Sequence, residues 1–173
     1  MEFFEVIDKR YSYRGEFTND KLSKLEIDKI LNAALAAPRA MNVQSTSYVA
    51  VEDEKLINQI GKLINRNGTR TAPFILVMLS EDKSDKTNFN FEVENYSAAC
   101  ENILLAITAL GYATVWTDGI LRNKELNDGV RKILNIPRDK KIKAVLPIGK
   151  PVTDGKPKEK SKIEEAVVFN RFN

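Results

Sequence analysis

Arg10, Ser12 and Arg14 alternate with Tyr11 and Tyr13 in the segment DKRYSYRGEF, residues 8–17. In an extended chain successive side chains point to opposite faces, so two guanidinium groups and a hydroxyl share one face and two rings the other. Guanidinium forks beside a hydroxyl suit a phosphate, which accepts paired, charge-assisted hydrogen bonds. The same residues also suit a solvated charged turn. A second candidate is APRAMNVQ, residues 37–44, where Asn42 and Gln44 lie two apart. Amides both donate and accept, so this pair suits the edge of a heterocycle such as a flavin or purine, or simply a polar loop. In WTDGI, residues 116–120, Gly119 lets backbone approach a planar ligand closely, just past an apolar run. Ligands of open α/β sheets sit at such strand ends; a tight turn beside a buried tryptophan is the alternative. Lys160 and Lys162 alternate in KEKSK, which by itself reads as a solvated charge run.

What is missing narrows the chemistry. The 173 residues contain no histidine and one cysteine. Ser-His-Asp and Cys-His catalysis are thereby excluded, and a zinc site is unfavourable. Cys100 falls inside an apolar helical pattern and reads as a packing residue. A net charge of +3 is too mild to point to nucleic acid. No G-x-G-x-x-G or P-loop pattern is present. No apolar run reaches the ~20 residues of a membrane helix, and the first residues show no basic-then-apolar leader. The expectation is a cytoplasmic protein without metal, membrane or nucleic-acid partner. Its chemistry must come from carboxylates, lysine, tyrosine, backbone groups or a cofactor.

The elements that must position these residues follow from periodicity. Phe3, Phe4 and Ile7 are spaced for one helical face. SKLE, residues 23–26, is a capping box ahead of Ile27, Ile30, Leu31, Ala34 and Leu35, so a helix runs up to Pro38. Residues 47–51 read as a strand, 54–64 as an amphipathic helix and 72–80 as a buried strand. Residues 96–110 read as a buried helix, 112–117 as a strand, 123–136 as a helix and 141–151 as a fourth strand. The tail is highly charged and then carries a strand-like apolar piece, residues 166–169, in need of a pairing partner. This order gives an α/β or α+β fold in one domain, with helices on a central sheet.

Taken in order, these motifs resemble the nitroreductase family of flavin-dependent oxidoreductases. The Arg-x-Ser-x-Arg segment at Arg10, the APRAMNVQ loop, the helix, strand and glycine turn of AITALGYATVWTDGI, the LPIGKP strand and the KSKIEEAVV tail stand in that family's sequence order, over nearly the whole chain. The resemblance implies an α+β fold: a central mixed, mainly antiparallel sheet flanked by helices, built as an intertwined homodimer. The tail, from about residue 156, would pack on the partner subunit and pair with its sheet edge, covering what is otherwise exposed. FMN is the implied cofactor and NADH or NADPH the implied electron donor. Arg10, Ser12, Lys160 and Lys162 would hold the FMN phosphate, with Tyr11 between them, although Tyr11 and Tyr13 also read as packing residues. Arg14 would serve the O2/N1 side of the flavin ring. Pro38, Arg39, Ala40, Asn42 and Gln44 would come from the partner subunit. Trp116, Thr117, Asp118 and Gly119 would lie along the ring system, with a backbone N–H near N5; Asn67 and Arg70 complete the set. Flavin N5 would carry the reaction, with no catalytic side-chain acid or base. The implied activity is ping-pong hydride transfer from NAD(P)H to a nitroaromatic, a quinone or a similar electron-poor small molecule. The alternative is a specialised flavin-binding relative with another donor or acceptor; on the charged segments alone, an anion-binding interaction domain also stays open.

Three departures from the family pattern stand out. Arg39 replaces a serine, Ser45 and Thr46 replace Pro-Trp, and the excursion before the buried helix is short. Phe89 and Phe91 would form at most a small lid over a more open site.

Overall fold

The computed structural model describes residues 1–83 and 89–172. Four strands form one sheet in the order β1-β2-β4-β3: β1 Thr46–Val51, β2 Phe74–Ser80, β3 Ala113–Thr114 and β4 Lys141–Gly149. All three pairings are antiparallel, with Val77 opposite both Val49 and Val145. An isolated parallel bridge from Ser12 to Thr114 adds a mixed element at the β3 edge. Strand β2 is buried along its whole length, as its unbroken apolar run requires for a strand covered on both faces.

Helices α2 (Lys24–Leu35) and α5 (Glu92–Ala109) cover one face. There Ile30, Ala34, Cys100, Ile103 and Ile107 meet Leu76, Met78, Leu146 and Ile148. Helices α3 (Glu54–Ile64) and α6 (Lys124–Ile133) cover the other, where Ile60, Ile64 and Val130 meet Ile75, Val77 and Val145. Alternate residues of one strand thus feed opposite cores. Caps fix the helix starts: Ser23 and Glu26 form a reciprocal capping box on α2, and Asp53 accepts from the backbone N–H of Lys55 and Leu56 on α3. Cys100 is fully buried and burial pushes its thiol well up, as a packing residue requires.

The N-terminal segment after α1 (Phe3–Lys9) is strapped to the sheet. Tyr13 N–H donates to Thr114 O at 2.8 Å, Phe17 N–H to Thr71 Oγ1 at 2.9 Å and Thr18 N–H to Lys150 O at 2.9 Å. Tyr13 and Phe17 are buried while Ser12 and Arg14 stay exposed, so the alternation expected of this segment holds.

The largest differences from expectation are four. A short helix α4, Asn67–Thr71, follows α3 directly. Helix α5 begins a turn earlier than its apolar pattern, at Glu92, because Glu92 and Asn95 are buried polar residues with partners. Strand β3 is only two residues; the chain then leaves the sheet and touches it again through a Thr117–Val145 bridge. In the tail, Ile163–Ala166 form one helical turn, α7, and Ala166 to Phe169 is not a strand. Residues 156–172 are exposed throughout, so no sheet edge of this chain is offered to them. Of the proposed lid, Phe89 and Phe91 pack together at 6.1 Å between ring centroids, and residues 84–88 lie outside the described residues.

Candidate active site

A cleft of about 600 Å³ opens between the N-terminal strap, the α3–α4 turn and the chain after β3. Arg14 and Pro147 line it, with Asn65 to Thr69 on one wall and Val115 to Ile120 on the other. The volume suits a mid-sized ligand.

Each wall has a local cause. The strap's bond to Thr114 turns Tyr13 into the core and leaves Arg14 facing the cleft. Arg14 Nη1 donates to Ser12 O at 3.3 Å, which leaves most of its five donors free. On the α3–α4 wall, Asn65 takes the left-handed conformation (φ 51°) that ends α3 and turns the chain into α4. Gly68 packs so closely that a Cβ there would lie 3.3 Å from Gly15 O and 3.3 Å from the Phe17 ring. On the opposite wall, a Cβ at Gly119 would meet nothing within 4 Å, so its backbone is open to a ligand. Trp116 sets its ring edge-on to Tyr96 at 6.2 Å. Its indole Nε1 is buried and unpartnered, as is the Thr114 hydroxyl beside Ser12.

The residues expected from sequence therefore divide. Arg14, Asn67, Trp116, Thr117, Asp118 and Gly119 meet in this cleft. Arg70 does not line it, being exposed in the last turn of α4. Arg10 stands apart, with Nε 4.0 Å from Glu101 Oε1 on α5. Tyr11 packs edge-on to Tyr13 at 6.2 Å, and its ring lies where a side chain at Gly155 would be. Lys160 and Lys162 are exposed, and their ammonium groups have no ion pair among the described residues. Pro38, Arg39, Ala40, Asn42 and Gln44 form a separate loop outside the cleft of this chain. It protrudes: Met41 is 72% exposed, and Met41 and Asn42 both have positive φ. Gln44 Nε2 donates to Asn42 Oδ1 at 2.8 Å. Arg39 Nη1 caps the end of α2 by donating to Leu35 O at 3.1 Å, while its Nε is buried without a partner beside Tyr48.

Three residues of interest escaped the sequence reading. Asn65 and Arg66 line the cleft but belong to a turn with no strong pattern. Asn95 pins the protruding loop: Oδ1 accepts from Ala40 N–H at 2.9 Å and Nδ2 donates to Ser45 Oγ at 3.1 Å. Asn95 stands one position before the apolar stretch that starts at Tyr96, and only its burial distinguishes it from a solvated polar residue.

Comparison with known proteins decides the family. The Nitroreductase family matches residues 7–69 and 61–150. The chain belongs to that family. An Archaeoglobus fulgidus protein, provisionally named NADH dehydrogenase/NAD(P)H nitroreductase, is 30% identical over 151 residues, spanning 87% of this chain and 86% of its own. Iodotyrosine deiodinase of Thermotoga neapolitana is 26% identical over 98% of both chains. The solved structure of the FMN-dependent nitroreductase of Clostridium difficile R20291 superposes with a TM-score of 0.81 over 98% of this chain and 99% of its own; at 24% identity that likeness is one of fold. The fold is thus the α+β nitroreductase fold. No helix among the described residues is long and apolar enough to cross a membrane, and no cluster of metal-ligating side chains occurs among them.

Proposed function

We propose that this member of the nitroreductase family is an FMN-dependent oxidoreductase that uses NADH or NADPH to reduce an electron-poor small molecule. The observation that carries the reading is the cleft: an arginine with free donors, an open glycine backbone and the segment from Trp116 to Asp118 line one hollow of about 600 Å³. Those groups fit a flat, polar-edged, anionic ring system better than they fit water.

In this reading Trp116 to Gly119 line one side of the ring system, and the Gly119 turn offers backbone to it. Arg14 offsets negative charge on the ring's pyrimidine side, as a fixed cation does where charge develops. Asn67 supplies an amide for the ring edge. Arg10, Ser12, Lys160 and Lys162 hold the phosphate, while Arg70 and Tyr11 support the site from outside the cleft. The chemistry supplied by bound FMN is ping-pong transfer of a hydride from NAD(P)H to an acceptor such as a nitroaromatic or quinone. No histidine is needed for that.

The protruding loop and the tail complete the proposal. Pro38, Arg39, Ala40, Asn42 and Gln44 project from their own chain and are the contribution of one protomer to its partner's site. Phe169 and Phe172, 77% and 85% exposed, would be covered when the tail lies on that partner. A homodimer in which the whole chain acts as one domain accounts for both.

The deciding measurement is the absorbance spectrum of the purified protein, followed by rapid mixing with NADH and NADPH. A flavin spectrum that bleaches with either nucleotide is expected. Colourless protein that takes up no added FMN sinks the reading. A flavin spectrum that neither nucleotide bleaches supports a second reading, with another donor or acceptor. The deiodinase among the relatives favours keeping that reading in view.

A further inference from the structure

Arg66 lies on the cleft wall between Asn65 and Asn67, yet it has no place in the phosphate or ring contacts described above. With Asn65 and Asn67 it is exposed at the rim, whereas Gly68 and Thr69 are buried at the floor. Its guanidinium has no hydrogen bond or ion pair among the described residues. The left-handed turn at Asn65 and the extended backbone at Arg66 (φ −117°) fix where its side chain departs. The lining carries two arginines, Arg14 and Arg66, against one acid, Asp118. Arg14 sits on the strap side, so the rim holds a second cation separated from the first.

We infer that Arg66 is a specificity-determining residue that selects aromatic acceptors bearing a carboxylate. The inference rests on the flavin reading: a flat cofactor on the floor leaves the rim to the molecule that enters and leaves. A carboxylate matches the guanidinium fork with two parallel hydrogen bonds. A lysine would offer only a point charge, so the selection depends on Arg66 in particular.

The chain's only tryptophan, Trp116, lies in the same cleft and reports binding by fluorescence quenching independently of turnover. FMN-replete wild type, Arg66→Ala and Arg66→Lys are titrated with 4-nitrobenzoate and with neutral nitrobenzene. FMN content and the KM for each nicotinamide nucleotide are measured beside them. Arg66→Ala should weaken 4-nitrobenzoate binding roughly tenfold, the scale of one charge-assisted pair, and leave nitrobenzene binding and FMN content unchanged. Arg66→Lys should recover only part of the loss. Equal affinities in all three proteins overturn the inference, and so does a parallel loss for both acceptors. A loss confined to the KM of NADH or NADPH assigns Arg66 to the donor and overturns it too. Loss of FMN from Arg66→Ala places the residue in the flavin site, with the same consequence. Wild-type protein that holds no FMN removes the flavin reading and this inference together, whereas FMN-replete protein with unchanged selectivity removes this inference alone.

Discussion

At the scale of single residues, charge placement separates binding from stability. Arg10 and Ser12 carry no core contact, since the neighbouring rings Tyr11 and Tyr13 do the packing. Replacing Arg10 and Ser12 together with alanine should therefore weaken FMN retention on the order of 100-fold, the scale of two lost charged or polar hydrogen bonds. Thermal stability should change by less than about 1 kcal/mol; equilibrium dialysis of FMN beside a melting curve checks both. Glu92 behaves oppositely. It is 7% exposed and accepts from Ser80 Oγ at 2.5 Å, Lys141 Nζ at 2.6 Å and Lys143 Nζ at 2.9 Å. Burial alone would push its carboxyl up, but the bonds from Lys141, Ser80 and Lys143 outweigh it and hold the group down at about 2. A carboxylate whose folded value is depressed adds stability above its unfolded value and loses it as pH falls through the folded one. The ion cluster should thus stabilise fully above pH 4.5 and lose roughly 3 kcal/mol between pH 4.5 and 2. Urea unfolding across that window should show the slope, and Glu92→Gln should flatten it. Glu92 was not legible in the sequence because its three partners come from the ends of β2 and β4, far along the chain.

At the scale of elements, what could be read was what periodicity encodes. The amphipathic pattern of α3 and the unbroken apolar run of β2 gave boundaries that the structure matches at residues 54–64 and, within two residues, at 74–80. Helix α4 was not legible. NGTRT has poor helix formers, and it is helical because Gly68 packs on Gly15 and Phe17 while Thr71 accepts the Phe17 N–H. The same holds for half the cleft: the Trp116 wall follows an apolar strand, whereas the Asn65–Arg66 wall depends on that tertiary turn. The protruding loop is held across elements by α5 through Asn95, at 2% exposure. Asn95→Ala would leave Ala40 N–H and Ser45 Oγ without their partner and open a small void, costing about 1–3 kcal/mol. For a chain of this length that is a fall in Tm of roughly 3–10 °C. FMN retention should fall further than stability does, if this loop serves the partner's site; a melting curve and a flavin titration on the same sample compare the two effects.

At the scale of the whole molecule, the sheet and its helices close two cores without any residue beyond β4, and the tail finds no cover in its own chain. Residues 166–169 have an apolar, strand-like sequence, but pairing needs an edge, and one chain does not supply it. Other large apolar side chains stay outward as well, with Phe3 63%, Phe4 77% and Ile163 68% exposed. Few stable monomers leave so much apolar surface in solvent. Light scattering at micromolar protein should therefore give twice the chain mass. Removing residues 156–173 tests the arrangement further, because it deletes Lys160, Lys162, Phe169 and Phe172 while sparing every strand. The shortened chain should keep the circular dichroism of the folded sheet and helices, dissociate toward monomer and lose FMN. A shortened chain that stays dimeric and yellow would show that the tail neither clamps the phosphate nor joins the subunits. One that stays dimeric but colourless would confine its role to the phosphate, leaving α1 and the protruding loop to hold the dimer.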